Sequence, residues 1–253
     1  MKDIILDKLK LVEGKVGFYY KNLITGEIIT YQHEEAFEAA SVIKIPILIE
    51  VYRKIMDGSL HENQIFQVKE DDKLPSCGAL TYMHTGLEVT LKDLCTLMII
   101  LSDNTATNML IKLVGMDQIN ETMRGLGLKK TKVNRLLFDS KQSALGIQNY
   151  ITPGEIGILL EKMYDGSLIS KEASKEMISI LMNQRLNGKI PFYITDGTKV
   201  AHKTGEDSGI THDVGIVFTK EPFIVCFCSN NVEVPYFERV IQEISRDLIY
   251  RTI

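Results

Sequence analysis

Apolar positions along the chain change their spacing three times, and the changes outline the fold. Residues 3 to 12 carry helical periodicity, whereas GKVGFYYKNLITGEIITYQ reads as two β-rich runs around a turn at Asn22 to Gly26. From residue 41 to about 185 the spacing is helical throughout, in IPILIEVYRKIMDG, VTLKDLCTLMIILS, TATNMLIKLVG, MDQINETMRGLG, TPGEIGILLEKMYDG and SKEASKEMISILMNQ. Thr90, Thr105, Thr152 and Ser170 stand where helices begin, and Gly58, Gly115 and Gly166 where they end. Extended runs TKVAHKTG, HDVGIVFT and FIVCFCSN follow, and VPYFERVIQEISRDLIY closes the chain as a helix.

Both termini thus supply helices and strands, and the middle supplies helices alone. This predicts an α+β fold: an antiparallel sheet domain from residues 1–38 and 192–253, flanked by terminal helices, with an all-helical domain inserted at 39–191 and a cleft between the two. The least regular stretch is NRLLFDSKQSALGIQNYI, residues 134 to 151, and irregular segments of that length in compact proteins are often functional.

Composition narrows the function classes. With 253 residues and 45% hydrophobic content the chain can bury a large core, and 29 basic against 33 acidic side chains leave no basic stripe for nucleic acid. No apolar run is long enough to span a bilayer. The amino end alternates in charge where a secretory leader needs an unbroken apolar centre, so the sequence as it stands predicts a cytoplasmic protein, or a secreted one if a leader has been removed. A monomer is expected. Cys77, Cys95, Cys226 and Cys228 have no zinc or redox spacing; Cys226 and Cys228 fall on one sheet face as small hydrophobes. His84, His202 and His212 lack ligand spacing, and no phosphate cradle occurs, so neither metal nor cofactor is predicted.

The candidate chemistry begins in AASVIKIPIL, where Lys44 lies three residues after Ser41 in apolar company. Pro46 is tolerated only in a first helical turn, which puts Ser41 at or near a helix amino end. Free N–H groups there stabilise an oxyanion, and the spacing of three brings the Lys44 amine onto the serine's face. An amine kept from water has a depressed pKa and can act as the base for that serine. Ser102-Asp103-Asn104 follows an apolar helix, and Lys203-Thr204-Gly205 lies on a strand whose glycine lets a ligand approach the backbone. Strand alternation puts Lys203 and Gly205 on one face and His202 and Thr204 on the other.

S-x-x-K, S-D-N and K-T-G in this order resemble the motif set of class A β-lactamases and penicillin-binding serine hydrolases. The resemblance covers nearly the whole chain, including GALTYMHTGLEVTLKDLCTLMIILSDNTATNMLIKLVG. It implies Ser41 as nucleophile toward a β-lactam or acyl-D-Ala bond, Lys44 as its base, Ser102 as proton relay and Lys203 as electrostatic support. It further implies Asn104 and Thr204 as contacts for the substrate's amide and carboxylate, with the backbone N–H groups of Ser41 and Glu206 as oxyanion donors.

Two departures from that family's pattern stand out. The glutamate and asparagine that position a deacylating water in class A enzymes have no counterpart in NRLLFDSKQSALGIQNYITP; Asp139 is the nearest carboxylate, able to act as base, to pair with Arg135 or to cap the loop. Slow deacylation is therefore expected. After K-T-G come Glu206 and Asp207, which repel an anion, with His212 as the candidate for compensation. A β-lactamase-like hydrolase, a relative acting on D-Ala peptides or esters, and a sensor acylated once and held are the resulting readings.

Overall fold

A computed structural model describes residues 1–253. In chain order the elements are α1 (Lys2–Lys10), β1 (Lys15–Asn22), β2 (Ile28–Tyr31), β3 (Phe37–Glu38), a 3-10 turn (Ala40–Ile43), α2 (Lys44–Met56), β4 (Ile65–Val68), β5 (Leu87–Thr90), α3 (Leu91–Ile100), α4 (Asn104–Val114) and α5 (Met116–Gly125). Then come α6 (Ser140–Ala144), β6 (Tyr150–Ile151), α7 (Pro153–Tyr164), α8 (Lys171–Met182), β7 (Lys199–Asp207), β8 (Ile210–Phe218), β9 (Phe223–Asn230) and α9 (Val234–Thr252). No helix is long and apolar enough to cross a membrane.

The antiparallel sheet has the order β2-β1-β9-β8-β7 and joins the two ends of the chain. The β1–β2 turn forms where its residues predict: Asn22 Oδ1 accepts from the N–H groups of Ile24 and Thr25, and Gly26 takes the left-handed backbone. Both sheet faces are covered. Val214, Ile216, Ile224, Cys226 and Cys228 pack with α2, α3, α4, α7 and α8 in one core, and Val217, Val225 and Phe227 pack with α1 and α9 in the other. Burial raises the thiol pKa of Cys226 and Cys228, which fits inert packing residues.

Two local expectations give way. The region between residues 41 and 185 is not purely helical, because β4 pairs with β5, and β6 pairs with β3. Helix α4 is capped by Asp103, whose carboxylate accepts from Ala106 N, and not by Thr105, whose hydroxyl instead accepts from Leu74 N. Thr90, Thr152 and Ser170 do cap their helices.

Candidate active site

Ser41 sits in the 3-10 turn that leads into α2, and Lys44 is the first residue of α2 itself. The turn is pinned from below, since Val42, Ile43, Ile45, Ile47 and Leu48 are all fully buried, each contributing about 1.5–3 kcal/mol of apolar burial. Edge strand β7 runs alongside. A Cβ placed on Gly205 would stand 3.2 Å from Ser41 N and 3.1 Å from the His212 ring, so a glycine at 205 lets the strand lie against the Ser41 backbone without crowding.

Lys44 Nζ is fully buried at the hub of a polar cluster. It lies 2.9 Å from Ser41 Oγ, 2.7 Å from Ser102 O, 2.9 Å from Ser102 Oγ and 2.9 Å from Asn104 Oδ1. Lys203 Nζ, also fully buried, donates to Ser102 Oγ at 3.1 Å and to Thr204 O at 2.8 Å. Neither amine has an ion-pair partner, although Asp213 lies close enough to Lys203 to oppose its loss of charge. Two buried like charges so close cannot both persist. Burial and then the charge of Lys203 push the Lys44 pKa well below its ordinary value, and burial lowers Lys203 to about 7.

The neutral state of Lys44 fits its neighbours. An ammonium offers three donors and no acceptor, whereas the neutral amine has two N–H donors and a lone pair. Ser102 O and Asn104 Oδ1 can only accept, so they absorb the two donors. The lone pair is then left to accept from a hydroxyl, and Ser41 Oγ and Ser102 Oγ both lie 2.9 Å away, an arrangement able to receive a serine proton.

Asp103, between the two motif residues, is the local scaffold. Its buried carboxylate accepts from Ala79 N at 2.7 Å, Leu80 N at 2.9 Å and Ala106 N at 2.9 Å, tying the 76–80 loop to the start of α4. Asn104 is held further by its N–H to Cys77 O and by its amide nitrogen to Pro75 O. Ser102 itself is in the left-handed backbone region at φ 54°, as are Ala40, Ser76 and Phe138 around the cleft. Strained backbone of this kind persists only where its surroundings over-determine it.

The cleft that opens over Ser41 has a volume of about 560 Å³ and is walled by Ala40, Cys77, Asn104, the 135–149 loop, Glu206 and Ile210. Asn149 clamps the neck of that loop, accepting from Asn134 N and Arg135 N, while its own carbonyl accepts from Ala39 N at 2.8 Å. Arg135 is not paired with Asp139; it donates to Gln148 Oε1 through Nε and Nη2 and to Leu136 O through Nη1.

The predicted site residues are thus placed unequally. Ser41, Lys44, Ser102, Asn104 and Lys203 converge, and Gly205 abuts Ser41. Alternation along β7 holds: Lys203 points to the cluster and His202 to Asp213 on the other side, at 2.8 Å. Thr204 is buried, and its carbonyl joins the cluster by accepting from Lys203 Nζ. Asp139 borders the cleft, but its Oδ1 accepts from Gln142 N at 3.0 Å as the cap of α6.

His212 does not compensate for the acids. It is fully buried, Nε2 donates to Glu38 O at 2.8 Å, Nδ1 accepts from Ser229 N at 3.1 Å, and burial lowers its pKa to about 4, leaving it neutral. Lys189 supplies the missing charge instead: its nearly buried ammonium donates to the Glu206 carboxylate and lies 3.5 Å from Glu238. Nothing in the sequence around Lys189 marks this role, because a 17-residue separation has meaning only once the chain is folded. Asn108, by contrast, stands four residues after Asn104 on α4, a spacing that could have revealed it; it brackets Leu137 through Leu137 N (2.9 Å) and Leu137 O (3.0 Å).

The two buried lysines make stability pH-dependent. Each is a base whose pKa is lower in the folded state, so the unfolded chain binds more protons and stability rises with pH between the folded and unfolded pKa values. For Lys203 that window runs from about 7 to 10.5, and Lys44, whose pKa burial also holds well below its ordinary value, contributes in the same direction. The unfolding free energy from urea titrations is expected to increase from pH 7 to 8.5, and the midpoint with it, by at most about 1.4 kcal/mol per pH unit for each lysine. Lys203→Met should remove part of that slope; a midpoint that stays flat or falls contradicts the assignment.

Comparisons with known proteins bear on the family and the fold. The family model for the beta-lactamase enzyme family matches residues 1–253. Beta-lactamase ROB-1 of Haemophilus influenzae is 24% identical over 246 residues, covering 94% of this chain and 80% of that protein. Beta-lactamase CARB-3 of Pseudomonas aeruginosa is 24% identical over 197 residues, covering 77% and 68%. Among solved structures, the beta-lactamase from Sphaerobacter thermophilus DSM 20745 superposes with a TM-score of 0.92 at 30% identity, covering 99% of this chain and 96% of that one. A point mutant of PBP-A, solved as an acyl-enzyme complex with penicillin-G, superposes with a TM-score of 0.88 at 25% identity, covering 99% and 96%. A serine–lysine pair in this setting, matched by the family model from the first residue to the last, makes the chain a member of the beta-lactamase enzyme family.

Proposed function

We propose that the protein is a serine hydrolase of the class A β-lactamase type that acylates quickly and deacylates slowly. Ser41 Oγ attacks the carbonyl carbon of a β-lactam, and its proton passes to Lys44 Nζ. The C–N bond then breaks, Ser102 Oγ gives its proton to the leaving nitrogen and takes back the one held on Lys44 Nζ, 2.9 Å away, so that Lys44 and Ser102 return to their starting states and the carbonyl remains as an ester on Ser41. Water later hydrolyses that ester. Lys203, while charged, steadies Ser102 and attracts the substrate's carboxylate, and the N–H groups of Ser41 and Glu206 receive the oxyanion.

The observation that carries this reading is the buried Lys44 amine, without an ion-pair partner and 2.9 Å from Ser41 Oγ. Slow deacylation is supported by the loop, where Leu137 lines the cleft and the Asp139 carboxylate is engaged as a helix cap. The same feature favours a second reading, a penicillin-binding sensor that is acylated once. An acyl-D-Ala peptide or ester is the remaining substrate class for the same apparatus.

Intact mass and absorbance recorded together with a chromogenic cephalosporin and a penicillin separate the readings. The expected result is an adduct on Ser41 that forms within seconds and decays over minutes, with matching slow product release. An adduct that never decays supports the sensor. Turnover by Ser41→Ala overturns the proposal.

A further inference from the structure

We propose that His202 and Asp213 are positioning residues, which clamp the irregular segment 187–190 to the sheet so that Lys189 reaches Glu206 at the rim of the cleft. Its consequence for substrate rests on acylation of Ser41 by an anionic β-lactam. Residues 183–198 connect α8 to β7 without helix or strand, so their backbone groups need partners from elsewhere. The sheet supplies them. The fully buried Asp213 carboxylate faces two ways: Oδ1 accepts from His202 Nδ1 at 2.8 Å, and Oδ2 accepts from Ile190 N at 3.0 Å. His202, also buried, reaches on through Nε2 to the Asn187 side-chain oxygen at 3.0 Å. A carboxylate can only accept, which keeps a proton on Nδ1, whereas a side-chain amide can serve Nε2 as acceptor or donor. The clamp therefore holds in either protonation state of the ring. Gln242 on α9 adds a third tie, donating to Gly188 O at 2.8 Å.

Lys189 stands between these ties, with Gly188 and Ile190 held on either side of it. Its ammonium is thereby delivered to Glu206, 3.5 Å from Glu238. Stability alone gives little reason for a buried imidazole–carboxylate pair, since apolar side chains of similar volume fill a core as well. What the carboxylate adds is direction, one oxygen aimed at the Ile190 amide. The charge it helps to place matters because the cleft is acidic: Glu38, Asp139 and Asp207 line it together with Glu206, and Arg135 is the one cation among the lining residues. Releasing Lys189 would leave a further uncompensated carboxylate on that wall, opposing the approach of an anion.

The test measures the second-order rate of adduct formation with a penicillin by intact mass, at low and high salt, together with amide exchange at Ile190 by NMR. His202→Ala is expected to speed Ile190 exchange and to slow acylation about three- to fivefold at low salt, the scale of a partly exposed ion pair, with a smaller loss at high salt. The sign is diagnostic. Taking His202 from Asp213 leaves that carboxylate freer to hold the proton on Lys203, which by itself would speed the capture of an anion. Lys189→Met should slow acylation similarly, and in that background His202→Ala should add nothing. His202→Gln, whose amide can donate to Asp213, should keep most of the wild-type rate. Asn187→Ala, at an exposed position that tolerates truncation, should speed Ile190 exchange and slow acylation to a lesser degree, and it carries the test if His202→Ala does not fold. A rate that is unchanged or rises, or a fall that persists without Lys189, overturns the proposal. If folded wild-type protein forms no adduct, the functional reading is overturned, and the clamp still stands or falls on Ile190 exchange in the two variants.

Discussion

Lys44→Met is expected to slow acylation of Ser41 by roughly a thousandfold, within the range for removing a positioned general base. Methionine preserves length and apolar volume in a site where the lysine is already fully buried, so the helix start at Ile45 and Ile47 should stay packed. What is lost is the lone pair 2.9 Å from Ser41 Oγ and the donors to Ser102 O and Asn104 Oδ1. The pH profile identifies the chemistry. Acylation requires Lys44 neutral and benefits from Lys203 charged, so kcat/KM for the wild type should fall on the acid side as Lys44 takes a proton and on the alkaline side from about pH 7 as Lys203 loses its own. A substrate carboxylate bound near Lys203 favours its charged form, so the alkaline limb of kcat should lie higher than that of kcat/KM. Adduct formation measured by stopped-flow and mass spectrometry checks both points. A Lys44→Met protein that acylates within tenfold of wild type would remove this amine from the proposed mechanism.

Leu137→Glu is expected to have the opposite effect on the second half-reaction, shortening the life of the adduct by roughly a hundredfold. The position follows from the clamp: both backbone groups of Leu137 are held by Asn108, one turn along α4 from Asn104, which itself contacts Lys44. A carboxylate there enters the cleft close to the acylated serine and can take a proton from an attacking water. Asp139, the other carboxylate of this loop, is tied through Oδ1 as the cap of α6. Leu137 is only partly buried, so the exchange should cost about 1–2 kcal/mol of apolar contact. Decay of the Ser41 ester, followed by intact mass after removing free penicillin, is the measurement. An unchanged adduct lifetime in a folded variant means that deacylation is limited by something other than a missing base.

The electrostatics of the cleft differ from what its acidic residues suggest in one dimension. Glu206 next to the K-T-G strand end is paired with Lys189, which also lies 3.5 Å from Glu238. The pairing lowers the repulsion that Glu206 alone would exert on an anion, and it leaves His212 as a neutral packing residue beneath Gly205 and β3.

Periodicity, caps and motif order were enough to reach the α+β fold, the helix carrying Lys44 and the nucleophile candidate, because these depend on neighbours three or four residues apart or on alternation along a strand. The same local rules misjudged Thr105, since Asp103 competes for the cap and wins with a carboxylate that also holds the 79–80 amides. They missed β4, β5 and β6, short strands whose pairing partners lie far along the chain. Only tertiary structure decided that two lysines 159 positions apart share one serine, Lys44 Nζ at 2.9 Å and Lys203 Nζ at 3.1 Å from Ser102 Oγ, and that Lys189 rather than His212 balances Glu206. The physical reason is that charge state depends on burial and on what stands across the cleft, and a one-dimensional pattern contains neither.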